Sequence, residues 1–172
     1  MLKFVILFPL YLVVLFVLEL LAPVEHWVVV PWTAALADIS AWLMRLFDSD
    51  VVAHGNVIAS ASSGFAISIE RGCNGIEAVI ILVAAMLAYP ARWRDRLLGL
   101  VAGFFAVQSV NLVRIISLYY LGNWNRQWFD WFHLYVWQAL IVVDALVVFL
   151  IWLSWTRRRE TRPPPPPAMA AA

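Results

Sequence analysis

The chain has 172 residues, of which 64% are hydrophobic and only 13% charged. An ordinary soluble domain carries about a quarter charged residues, so the composition excludes one and defines an integral membrane protein, of a length that suits a single domain. The net charge of +1 says nothing about nucleic acid, but the chain has no dense basic patch of the kind such binding needs, so no nucleic-acid partner is expected. One cysteine excludes an internal disulfide, Cys-x-x-Cys redox chemistry and a cysteine-rich zinc site.

Residues 4–22 are almost unbroken hydrophobic sequence behind Lys3. Roughly 20 such residues cross the hydrocarbon core. The stretch is too long for a signal-peptide core and lacks a small-x-small cleavage site before Pro23, so a retained first span is expected. In residues 31–47, Ala35, Leu36, Ile39, Trp42, Leu43 and Leu46 recur at helical spacing, with Asp38, Arg45 and Asp48 off the stripe. That pattern predicts an amphipathic helix in the outer interface; a true span is the alternative, which Asp38 and Arg45 make costly. Residues 51–70 mix β-branched residues with Gly55, Asn56, Ser62, Ser63 and Gly64, and Ala66 to Glu70 alternate apolar with polar. A short hairpin with a Ser-Ser-Gly turn is expected there, capping the helices.

Three further spans are expected over 76–89, 97–121 and 134–155. The fold class is therefore an all-α integral membrane protein with four transmembrane helices, an outer amphipathic helix and a small extracytoplasmic hairpin cap. Arginines at 157–159 and 162, five prolines and an Ala-rich end make a basic stop and a stiff solvated tail. They divide a polytopic domain, 1–156, from a disordered cytoplasmic tail, 157–172. Ten tryptophans suit interfacial aromatic belts. Lys3, the arginines at 92, 94 and 96, and the four after Trp155 hold eight of the twelve basic residues. Four spans put all three clusters on one side, which the positive-inside rule makes cytoplasmic, with both termini there. Segments 23–75 and 122–132 are then outside.

Three chemically complementary residues fall on that outer face. Cys73 lies in Glu70-Arg71-Gly72-Cys73-Asn74-Gly75-Ile76-Glu77, at the mouth of a span. Asn74 and Glu77 are spaced for a capping box. The exposed N–H groups and partial positive charge of a helix start favour a thiolate, and the amides of Asn74 and Gly75 are placed to receive an oxyanion. Arg114 lies in a span about 10 Å below its outer end, where an arginine marks function by default, with Asn111 one turn away to orient it. His133 opens the last span and titrates near neutral pH. The alternatives remain open at this stage: a structural cysteine, an Arg114–Glu19 ion pair, an amphipathic interfacial histidine, and with them a non-catalytic membrane scaffold or complex subunit. His26 and His54 have no metal-ligand pattern around them, Ser60, Ser62 and Ser63 lack a Gly-x-Ser-x-Gly elbow, and no cofactor is called for. Asp144 lies too deep to join the outer cluster.

Arg-Gly-Cys-Asn-Gly-Ile-Glu at the start of one span, Asn-Leu-Val-Arg-Ile in the next and Phe-His at the head of the last resemble the exosortase/archaeosortase family, most of all the compact exosortase H type. The resemblance covers roughly residues 60–140. It implies an outward-facing cysteine protease or transpeptidase in the bacterial plasma (inner) membrane. Its partners would be exported proteins with a carboxy-terminal sorting signal, namely a short motif, a transmembrane helix and a basic tail. Position by position, Cys73 matches the nucleophile, Arg114 the family arginine, and His133 a third residue that is His in some branches and Arg in others. A thioester at Cys73 would be resolved by water or by an amine on a surface lipid or glycan.

Overall fold

The computed structural model describes residues 2–161, and these build five apolar helices and one small sheet. The expected tail falls beyond residue 161, outside the described residues, except for 157–161, whose arginines continue the last helix.

Helix α1, Leu2–Glu19, has a mean hydropathy of 2.3 and buries only its last residue, Glu19. A helix apolar all round with no buried stripe suits a lipid surround. Helix α2, Ala22–Met44, starts with Pro23 in its first turn, where a missing N–H costs nothing. Pro31 does break the hydrogen-bond ladder, and the turn before it, Glu25–Val29, widens to a π-helical turn. The amphipathic stretch expected from residue 31 is thus the second part of a 23-residue helix long and apolar enough to cross a membrane. Helix α3, Ile76–Ala88, has only 13 residues. Pro90 stops it by forcing Tyr89 into extended backbone. Helix α4, Trp93–Trp124, and helix α5, Arg126–Arg159, are both long enough to span, α5 through a π-helical turn at Phe132–Val136. Four helices therefore meet the length of a span among the described residues, and α3 is the short fifth.

Close packing of α3, α4 and α5 explains their glycines. A Cβ at Gly103 would lie 2.6 Å from Leu82, and one at Gly99 would strike the Trp152 indole. Around these contacts Ala78, Leu82, Met86, Val107, Ile141, Ala145 and Trp152 form one core. This end of the bundle also gathers the arginines. Arg96 donates to the carbonyls of Met86 and Tyr89 at 3.2 and 2.9 Å, closing the end of α3. Arg159 pairs with buried Asp95 at 2.9 Å, and Trp152 donates to the Asp95 carbonyl.

The opposite end carries the cap. Strands β1, Val51–His54, β2, Val57–Ser60, and β3, Ala66–Ser68, form an antiparallel sheet in that order, with Val51 opposite Ser60 and Ile58 opposite Ile67. The expected hairpin is β2–β3, and β1 is an added strand. Asp50 ties its turn by accepting from Ser60 and from Ser62, and those bonds hold the Asp50 carboxyl below its usual range. Leu36, Ala37, Ala41 and Met44 of α2 pack with Val51, Ile58 and Ile69, and with Ile115 and Tyr119 of α4. This second core fixes the cap over the start of α3.

Candidate active site

The segment Ile69–Gly75 hangs between sheet and helix. Asn56 holds it by accepting from the Ile69 N–H at 2.8 Å through its carbonyl and donating to the Ile69 carbonyl through its side chain. Gly72 (φ +78°) and Gly75 (φ +74°) adopt the left-handed conformation that costs other residues strain. At Gly75 space matters as well, since a Cβ would sit 2.9 Å from Gln108 Nε2 and 3.1 Å from Asn111 Nδ2. These two glycines fold the chain tightly around Cys73 and Asn74.

Asn74 is fully buried. Its amide donates to Thr33 Oγ1 at 3.2 Å and accepts from the Ile76 N–H at 3.1 Å. Its carbonyl accepts from Trp32 at 3.3 Å and Gln108 at 3.4 Å. The capping box expected from sequence does not form. Left-handed Gly75 inserts a residue before the helix, so Asn74 caps Ile76, and the Glu77 carboxylate reaches further back to the Gly72 N–H at 2.6 Å. The N–H groups of Asn74 and Gly75 donate to no atom among the described residues.

With the loop fixed, three distant residues meet. Arg114, 1% exposed, donates to the Gly72 carbonyl at 3.2 Å through one terminal nitrogen and to Cys73 Sγ at 3.4 Å through the other. His133 presents Nε2 to the same sulfur at 3.9 Å. Its ring lies parallel to Phe129, 5.5 Å between centroids, and it sits inside the π-helical turn of α5. Such turns re-aim side chains and recur at functional sites.

Of the alternatives left open, the Arg114–Glu19 ion pair does not form, and the two terminal nitrogens of Arg114 face Gly72 and Cys73 instead. Asn111 does not orient Arg114 either; it donates to Gln108 Oε1 at 3.4 Å and so steadies the Gln108–Asn74 contact. Gln108, Thr33, Trp32 and Gly72 were not singled out from sequence. Gln108 had a readable signal, because Gln108, Asn111 and Arg114 recur every third residue on one face of an otherwise apolar helix.

The electrostatics also differ from the expected thiolate. Burial pushes the Cys73 thiol up; Arg114 pulls it back, and the carboxylates of Glu77 and Glu70 push it further up, leaving it above the ordinary thiol range. The group at rest is therefore a thiol, and its activation calls for a base in reach. His133 Nε2 is the nitrogen in position for that.

A thiol, a buried guanidinium and an imidazole thus converge at one end of the bundle of a polytopic membrane protein. The family described as transmembrane exosortase (Exosortase_EpsH) matches residues 2–149, and the chain belongs to that family. No curated protein and no solved structure matches it significantly.

Proposed function

We propose that this exosortase is a cysteine protease or transpeptidase that removes carboxy-terminal sorting signals from exported proteins at the outer face of the bacterial plasma membrane. The observation that carries this reading is Cys73 Sγ, placed between the Arg114 guanidinium at 3.4 Å and His133 Nε2 at 3.9 Å.

His133 takes the thiol proton as Sγ attacks the scissile carbonyl carbon. The C–S bond forms and the carbonyl π pair moves onto oxygen. Arg114 and the undonated N–H groups of Asn74 and Gly75 stabilise that oxyanion, a contribution worth on the order of 10²–10³ in rate for one donor. Collapse breaks the C–N bond, and the imidazolium returns its proton to the leaving amine. Water or a surface amine then resolves the thioester through the same histidine. The positive-inside rule, applied to the basic residues at Lys3, around Arg94 and after Trp155, supports a cytoplasmic location for the opposite end. The substrate's own span would lie beside the bundle with its basic tail on that side.

Mass spectrometry of membrane proteins from cells carrying the wild-type or Cys73→Ala chain tests the assignment. Precursors that keep a carboxy-terminal span and basic tail should accumulate only with the variant. Identical termini in both, at normal levels of the variant protein, would overturn it in favour of a non-catalytic scaffold.

A further inference from the structure

The two edges of the cap sheet are finished differently. The Ser60 N–H donates to the Phe65 carbonyl and the Ile69 N–H to the Asn56 carbonyl, so Phe65, Ile67 and Ile69 hold the bonded positions facing β2. Bonded and unbonded positions alternate along an antiparallel pair. Ala66 and Ser68, both exposed, therefore turn their N–H and C=O groups to the open edge, where these groups make no hydrogen bond among the described residues. On β1 the same alternation turns the Val51 carbonyl outward, and there Arg45 Nε covers it at 3.0 Å. Free edges are ordinarily blunted by charge, proline or a covering element, and β3 carries neither charge nor proline. We propose that the open edge of β3 docks the extended residues just before the scissile bond, which join the three-stranded sheet as a fourth strand. This deepens the peptidase reading and rests on it.

Three observations favour an extended peptide as the occupant. The first is the shape of the space. The start of α5 stands across from the edge, and between them lies a cleft of about 190 Å³ lined by Phe65, Ala66, Ile67, Ser68, Arg126 and Phe129. Small-molecule sites begin near about 300 Å³, so this one suits a side chain of a bound strand. A second cap pairing edge to edge would have to displace the α5 turn. The second is that the walls are set in advance. Gly122 lacks the Cβ that would lie 2.6 Å from Phe65 and 3.1 Å from Phe129, which lets both rings pack on α4. Arg126 lies 5.4 Å from the Phe129 ring centroid and pairs with Asp130 at 3.3 Å. The third is continuity with the site. Phe129 stacks on His133, whose Nε2 faces the Cys73 sulfur, and the chain from Ser68 to Cys73 spans at most about 17 Å.

The direction of the bound strand follows from the topology. β3 runs toward the Cys73 loop, and the proposed substrate runs from its motif toward its own span, so the two strands are parallel. In a parallel ladder the Ala66 carbonyl accepts from one substrate residue and the Ser68 N–H donates to the carbonyl of that same residue. The Ala66 N–H donates to the carbonyl two residues earlier. Backbone bonds of this kind supply affinity, and pockets for alternate side chains supply specificity. Every second substrate side chain faces Phe65 and Phe129, so the recognised motif carries an apolar residue there.

Two measurements on the full chain in cell membranes test the proposal. Ala66→Pro removes one outward N–H at the first residue of an edge strand, where proline is tolerated. Precursor half-life in a pulse-chase should lengthen about five-fold, the scale of one backbone hydrogen bond, with an unchanged unfolding temperature. Ala53→Pro, which removes an outward N–H from β1, should leave the half-life as it is. In the Cys73→Ala chain, a photo-crosslinker at Ala66 should capture pulse-labelled precursors through residues just before their carboxy-terminal span. A wild-type half-life in folded Ala66→Pro would overturn the proposal, as would crosslinks confined to lipid, to a second copy of the chain or to the substrate's span. The crosslink alone decides if Ala66→Pro does not fold. Cys73-dependent processing that ignores Ala66→Pro would sink the docking edge alone; capture at Ala66 of precursors that are still processed without Cys73 would sink the peptidase reading alone.

Discussion

Asp95 and Arg114 are buried charges on the same helix, about 28 Å apart along its axis, and the molecule treats them differently. Asp95, 3% exposed, has its countercharge in Arg159 at 2.9 Å, and that guanidinium lies 4.3 Å from the Trp155 ring centroid. Arg114, 1% exposed, meets no carboxylate among the described residues, and its Nε is buried without a partner there, as are His133 Nδ1 and Asn111 Oδ1. A buried polar group left unpaired costs about 1–3 kcal/mol. The buried charge at the basic end is thus paired, while the one at the cap end keeps an unpartnered nitrogen, the pattern expected of the proposed site.

The largest effect that would sharpen this contrast is loss of processing in Cys73→Ala with a folded protein retained. Arg114→Lys should follow, with processing slowed on the order of 10²–10³, because an ammonium lacks the planar fork that serves Gly72 and Cys73 together. Full activity in that variant, measured as precursor half-life in a pulse-chase, would reduce Arg114 to a point charge. Arg159→Gln should do the reverse: an unfolding midpoint lowered by about 1–3 kcal/mol in stability and unchanged processing per folded molecule. A matched loss of processing would erase the distinction between the two ends.

The smallest effect concerns charge around the thiol. Cys73 sits above the ordinary thiol range because burial and the Glu77 and Glu70 carboxylates outweigh Arg114. Alkylation by a membrane-impermeant thiol reagent should therefore be slow at neutral pH and climb as pH rises past that range. Glu77→Gln removes a raising charge, so its alkylation profile should move to lower pH; Arg114→Gln removes the lowering one, so its profile should move to higher pH. Shifts in the opposite directions would contradict this charge balance.

Much of this was legible in the chain because membrane sequences state their exceptions plainly. Cys73, Arg114 and His133 stood out as polar groups in an apolar background, and the fold brings them together; the hairpin turn at Ser62-Ser63-Gly64 was written in its composition. What was not legible depended on backbone register. Gly75 in the left-handed region displaced Asn74 and Glu77 from a capping box that their spacing alone suggested. The π-helical turn before Pro31 carries the helix expected from residue 31 back to Ala22, which the amphipathic pattern did not show. The raised thiol could not be read from a helix start and a nearby cation, because burial of the sulfur exists only once the cap is folded.

The central claim, that Cys73 carries an acyl intermediate, is tested most directly by offering a competing nucleophile. Membranes from wild-type and Cys73→Ala cells would be incubated with hydroxylamine and the new carboxy termini read by mass spectrometry. The expected result is processed proteins ending in hydroxamates with the wild type and none with the variant. Processed proteins that end only in carboxylates, or hydroxamates that persist without Cys73, would contradict a thioester at this residue.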